Sequence, residues 1–170
     1  MDSALRITLI ANAGLLMTYR GTTLMVDGIY GREGHPFSNL SPEVWREMLE
    51  SEDRFRKVDY LLFTHAHPDH FSPEMTGEFL RHRDVKGLEP HMAAEDRLIK
   101  MLRAKKTPCV LLSDATEHAA YRIEPEITVR AFRTLHLDRK YRNVPHFCYI
   151  LTFGDQNILL TADMDYTTET

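Results

Sequence analysis

The segment Val58-Asp59-Tyr60-Leu61-Leu62-Phe63 is short, apolar and of strand type, and it empties into Thr64-His65-Ala66-His67-Pro68-Asp69-His70. Three histidines and an aspartate thus crowd one turn where a strand stops. α/β folds build their sites at strand ends, because the sheet holds the loop still. Neutral imidazole suits zinc, iron, copper and nickel, and an added carboxylate hardens the donor set and leaves room for water. His65 and His67 are two apart, so in extended backbone they project to the same side and can grip one ion. Pro68 stiffens the turn and can aim Asp69 and His70 at a neighbouring point. Closed structural zinc sites usually draw their ligand pairs from two separate segments. Four donors in one turn fit two adjacent metals sharing a water better.

Around this turn the chain alternates in hydrophobic period. Residues 5–10, 14–19 and 23–27 read as antiparallel strands punctuated by Gly14 and Gly21, followed by a Gly- and Pro-rich loop over 28–40. Ser41-Pro42-Glu43 opens a helix to about Ser51, and Ser72-Pro73-Glu74 opens another to about Arg83. The strand 58–63 lies between them. A short strand over 85–88, a helix over 93–104 and a strand over 108–112 come next. The remainder, 118–123, 126–132, 146–153 and 156–162, reads as strands only. No repeat or interdomain linker interrupts residues 1–170, so a single α/β domain of mixed sheets flanked by helices is expected.

The turn resembles the signature of the metallo-β-lactamase-fold hydrolases. The resemblance extends to the opening strands Ile7-Thr8-Leu9-Ile10, Ala13 to Met17 and Thr23 to Gly28, to Leu135-His136, and to Ile158-Leu159-Leu160-Thr161-Ala162-Asp163. Phe63 to Glu74 looks most like the branch that includes ascorbate-6-phosphate lactonase-like hydrolases. The resemblance implies an αββα sandwich. It also implies one metal on His65, His67 and His136, and a second on Asp69, His70 and Asp163, with Asp163 bridging. Zinc is the default metal, one or two ions, with manganese or iron as alternatives. The implied reaction is hydrolysis of a small ester, lactone or phosphoester by a metal-activated water, with Asp69 both ligating and orienting the nucleophile. Asp27 is implied to fix the metal turn, against its plain reading as an acidic turn residue.

The chain departs from the family in one respect. The family's last histidine ligand lies well beyond the bridging aspartate, whereas seven residues follow Asp163 here and none is histidine. A domain lacking its last strand–helix–strand portion is the expectation, with the sheet edge at 156–162 open to pairing in a homo-oligomer. Two rival functions remain: a non-catalytic or single-metal binding domain, and a di-iron redox protein of the same fold. The latter usually needs a further carboxylate ligand, and His67-Pro68-Asp69 keeps the hydrolase pattern.

Charge narrows the partners. With 21 basic and 25 acidic residues the net charge is −4, and no block of like charge appears. Nucleic acid and anionic membranes are therefore not favoured. No apolar stretch reaches transmembrane length and no signal peptide is visible. Cys109 and Cys148 lie in apolar runs and read as buried free thiols, which suits a cytoplasmic protein. Among the remaining histidines, His82 and His91 read as surface groups and His118 as structural. His35 could reach over the site from the loop 28–40, and His146 could line the pocket from the loop after His136. Arg139, Lys140 and Arg142 read as a solvated basic loop, with attraction of an anionic small-molecule substrate as the alternative.

Overall fold

The computed structural model describes residues 4–31, 39–50, 53–89, 96–110, 112 and 116–167. The chain forms two compact units, Met1–Leu111 and Leu112–Thr170. In the first, β1 (Arg6–Ala11), β2 (Gly14–Tyr19), β3 (Thr22–Val26), β4 (Tyr60–Leu62) and β5 (Gly87–Glu89) form one sheet in that order. β1, β2 and β3 are antiparallel neighbours, and β3, β4 and β5 run parallel. The β2–β3 hairpin closes on Arg20 and Gly21, with φ of 47° and 81°. Two consecutive positive φ angles match the right-handed twist of the flanking strands.

Parallel neighbours need crossovers, and helices supply them. α1 (Pro42–Glu50) lies between β3 and β4, α2 (Pro73–His82) between β4 and β5, and α3 (Asp96–Lys105) follows β5. The two Ser-Pro-Glu starts behave as the sequence predicts. Ser41 Oγ accepts from the Val44 N–H at 3.2 Å, and Ser72 Oγ accepts from the Met75 N–H at 3.2 Å. The core is built from Met25, Leu61, Met48, Phe79 and Leu102, all within 2 % of full burial. Each such side chain contributes roughly 1.5–3 kcal/mol on burial.

Two glycines let the backbone close up beside the metal turn. A Cβ on Gly14 would sit 3.0 Å from Gly28 Cα and 3.1 Å from the Asp27 carbonyl oxygen, and one on Gly28 would lie 2.5 Å from Met25 Cγ. β2 therefore passes flush against residues 27–28, immediately after β3. Asp59, itself buried, ties β4 to β3 by accepting from the Thr23 N–H at 2.9 Å.

In the second unit β6 (His118–Glu124), β7 (Ile127–Thr134), β8 (His146–Phe153) and β9 (Gln156–Leu160) form an antiparallel meander in chain order. Ile127, Val129 and Ala131 of β7 are buried at alternate positions, as a half-buried strand requires.

Several expectations shift. The strand expected over 58–63 is regular only over Tyr60–Leu62, although its backbone pairing reaches Asp59, whose N–H donates to Thr23 O at 2.8 Å and whose carbonyl accepts from the Lys86 N–H at 2.7 Å. The short strand falls at 87–89 rather than 85–88. Of 108–112, the described residues hold only isolated bridges at Cys109 and Leu112. Cys109 is exposed, contrary to its apolar context, while Cys148 is buried and burial raises its thiol pKa. The strand expected over 146–153 is found, so His146 opens β8 rather than sitting on the loop after His136: the register pairs it with Thr134 and it is fully buried. His82 and His118 are exposed. His35 and His91 lie outside the described residues.

Candidate metal centre

β3 and β4 are parallel neighbours, so their C-terminal ends lie side by side, and each delivers one part of the site. Asp27 follows β3 and the histidine turn follows β4. Asp27 is 2 % exposed and adopts φ of +49°, a left-handed conformation that few residues other than glycine and Asn/Asp accept. Its carboxylate is fully used. Oδ1 accepts from the Thr64 N–H at 2.8 Å, and Oδ2 accepts from the Thr64 hydroxyl at 2.6 Å and from His70 Nδ1 at 2.9 Å.

These contacts fix protons. A carboxylate oxygen only accepts, so His70 Nδ1 carries the hydrogen and Nε2 is left with its lone pair. The Thr64 hydroxyl has a single hydrogen, given to Asp27. Its 3.1 Å contact with His65 Nδ1 must then be donated by the ring. His65 Nε2 is bare too. It lies 3.0 Å from His67 Nδ1, which donates to it while no ion is bound. One ion reached by both nitrogens would replace that proton. His70 Nε2 in turn lies 3.8 Å from Asp69 Oδ2. His65, Asp69 and His70 are buried, and His67 is half-buried.

The backbone of the turn is held from several directions. The Asn12 side-chain amide donates to the Asp69 carbonyl at 3.1 Å, the Gly31 N–H to Pro68 O at 3.0 Å, and the Ser72 N–H to Ile29 O at 3.0 Å. Tyr30 stands in this segment at 1 % exposure. Burial, and then the charge of Asp69, push its phenol above the ordinary range, so it stays protonated.

The second unit brings together the other two expected donors. Residues 135–137 and 163–165 pair across an antiparallel bridge of His136 and Met164, with Leu137 N–H to Asp163 O at 2.7 Å and Asp165 N–H to Leu135 O at 2.8 Å. His136 Nε2 faces Asp163 Oδ2 at 3.4 Å. Here the proton is placed the other way. The Asp138 N–H donates to His136 Nδ1 at 3.0 Å, so Nε2 carries the hydrogen. The buried His146 ring lies 5.9 Å from that of His136, with Nδ1 2.6 Å from the Thr134 hydroxyl. In the basic loop Arg139 and Lys140 are exposed, and Arg142 reaches Asp165 at 3.4 Å.

Sequence reasoning missed Thr64, Asn12 and Tyr30. Thr64 reads only as the first residue of the turn, and its hydroxyl gains a role only once Asp27 is placed beside it. The donor chemistry fits a metal: two imidazoles of one turn are already in the tautomer that leaves Nε2 bare, beside a buried carboxylate.

No family model matches the chain, and no curated protein matches its sequence. Solved structures do. A protein of Parabacteroides distasonis assigned as a metal-dependent hydrolase aligns at 19% identity and TM-score 0.60, covering 94% of this chain and 61% of its own. The metallo hydrolase Igni18 of Ignicoccus hospitalis aligns at 15% and 0.55, covering 91% and 58%. The diiron β-hydroxylase CmlA of Streptomyces venezuelae aligns at 23% and 0.59, covering 96% and 30%. The fold is of the metallo-β-lactamase type. At these identities the likeness speaks for the fold, and this chain spans about three fifths of the length of the two hydrolases. A metallo-β-lactamase fold accounts for one mixed and one antiparallel sheet with few helices.

Proposed function

We propose that the chain is a metal-dependent hydrolase acting on a small ester, lactone or phosphoester. His65 and His67, with His136 from the second unit, are the proposed ligands of one ion. Asp69 and His70, with Asp163, are those of the other, Asp163 being shared. The observation that carries the reading is the relay from Asp27 through Thr64 to His65 and directly to His70, which leaves both Nε2 atoms as acceptors. Nothing in a merely structural turn calls for that arrangement. Zinc suits the imidazoles, and manganese or iron the carboxylates. The bound ions supply Lewis acidity and bring the pKa of a water toward neutrality.

The chain's own residues do the rest. Asp69, buried and beside His70, orients the attacking water and takes up its proton, and Asp27 and Thr64 keep the imidazoles from turning. Within the hydrolases of this fold, the stretch Phe63 to Glu74 favours the lactonase-like branch.

Metal analysis of carefully purified protein tests the reading, together with turnover of a panel of lactones, carboxylic esters and phosphodiesters. Bound metal with turnover is the expected result. Protein that binds no added zinc, manganese or iron contradicts it, and metal without turnover of any panel member leaves a binding domain instead.

A further inference from the structure

A cavity of about 430 Å³ opens at the end of the first sheet where β1 and β3 begin and β2 ends, within the range of about 300–1,000 Å³ typical of small-molecule sites. Arg6, Thr18, Arg20, Gly21, Thr22 and Lys57 line it. Arg6 is the cross-strand partner of Thr18, and the Thr18 hydroxyl lies 3.1 Å from that of Thr23. Lys57, from the segment before β4, lays its ammonium on the Gly21 carbonyl, and the Arg20 guanidinium stands 5.5 Å from the centre of the Tyr19 ring. Three cations from three segments thus share one cleft. Arg20 keeps its place at a backbone cost, because its φ of +47° is one that Asn, Asp or Gly adopts more readily in such a turn. A cation held against local preference is the kind of conflict that gathers at functional sites. The buried Asp59 carboxylate lies 3.9 Å from Lys57 Nζ, but Lys86 Nζ stands 3.4 Å from it as well. One carboxylate between two lysines leaves positive charge in surplus.

We propose that this cleft binds the phosphate group of a small phosphorylated molecule, at a site separate from the metal centre. Guanidinium forks and an ammonium are the groups that take up phosphate oxygens, and the Thr18 and Thr22 hydroxyls add donors. The net charge of −4 on the whole chain favours a small anion over a long polyanion such as nucleic acid. β3 has the cleft at its start and Asp27 just past its end, so at roughly 3.3 Å per residue the two lie about 16 Å apart. The phosphate held here is therefore not the group attacked at the metal centre, and the site stands whether or not the chain is a hydrolase.

The test titrates the full, metal-free chain with pyrophosphate, inorganic phosphate and a single-stranded DNA oligonucleotide at constant ionic strength, following backbone amide shifts by NMR. Pyrophosphate should saturate with a Kd of about 1 mM or tighter and move the amides of Thr18, Gly21 and Thr22, with inorganic phosphate weaker at the same amides. Arg20→Asn removes a cation and gives the turn a residue that accepts positive φ, so it should raise the midpoint of thermal unfolding while weakening pyrophosphate by about three- to tenfold. A loss of binding in a chain that folds better cannot be blamed on misfolding. Arg6→Gln should weaken pyrophosphate by a similar factor, whereas Lys140→Gln, in the exposed loop of the second unit, should leave it unchanged. No saturable shift at these amides, binding untouched by Arg20→Asn and Arg6→Gln, or equal losses from Lys140→Gln would each overturn the proposal. So would tighter binding of the oligonucleotide than of pyrophosphate at the same amides, which would make the cleft part of a nucleic-acid surface.

Discussion

In the first unit, Asp27 and Thr64 accept hydrogen bonds from Nδ1 of His70 and His65, so the Nε2 lone pairs are set before any ion arrives. In the second unit a backbone N–H, that of Asp138, donates to Nδ1 of His136 and leaves a proton on Nε2. The residue types are the same and the chemical readiness is not. For His136 to offer Nε2 to an ion, the proton must move to Nδ1 and the hydrogen bond to Asp138 must break, at a cost of about 0.5–1.5 kcal/mol. A carboxylate partner thus prepares a histidine for metal, and an amide N–H holds it back. The turn after β4 is thus prepared to bind metal by itself, whereas His136 can offer Nε2 only at a small energetic cost.

The largest expected effect comes from removing the prepared half. His65→Ala combined with His67→Ala should weaken zinc binding by more than about a thousandfold in competition titrations, because the free energy of such sites resides in their ligands. Unchanged metal content would mean that other residues bind it.

Asp27→Asn should make the first unit resemble the second. The carboxamide NH₂ would donate to His70 Nδ1 and force the proton onto Nε2, so zinc affinity should fall by about 10- to 100-fold. Stability should fall as well, by about 1–3 kcal/mol in urea unfolding, since the Thr64 hydroxyl loses a charged acceptor. An affinity equal to that of the wild type would break the comparison.

Thr64→Val keeps the shape and the N–H bond to Asp27 but removes the hydroxyl that orders His65. A loss of about tenfold in zinc affinity is expected, with about 1 kcal/mol in stability. Asp138→Pro should act in the opposite sense and least. The native φ of −79° suits proline, and the substitution deletes the N–H that occupies His136 Nδ1. Zinc affinity should rise by about threefold.

Much of the site is legible in the amino-acid sequence. The four donors of the turn share one short segment, so their proximity needs no tertiary information, and the Ser-Pro-Glu helix starts carry their own capping chemistry. Asp27 is legible only in part, because its role depends on β3 and β4 becoming parallel neighbours across more than thirty intervening residues. Thr64 is hidden for the same reason. Cys109 escapes a local reading because an apolar neighbourhood in sequence is not burial in space. Tyr30 leaves no signal at all: a tyrosine after Gly28-Ile29 looks like loop, and its buried hydroxyl emerges only from the packing.

Imidazole ¹⁵N spectra of the metal-free chain, recorded again after zinc is added, test the central claim most directly. Nδ1–H tautomers are expected for His65 and His70 before loading and an Nε2–H tautomer for His136. Zinc should shift Nε2 of the first two without changing their tautomer. Nε2–H tautomers at His65 and His70 in the metal-free chain, or spectra indifferent to zinc, would contradict it.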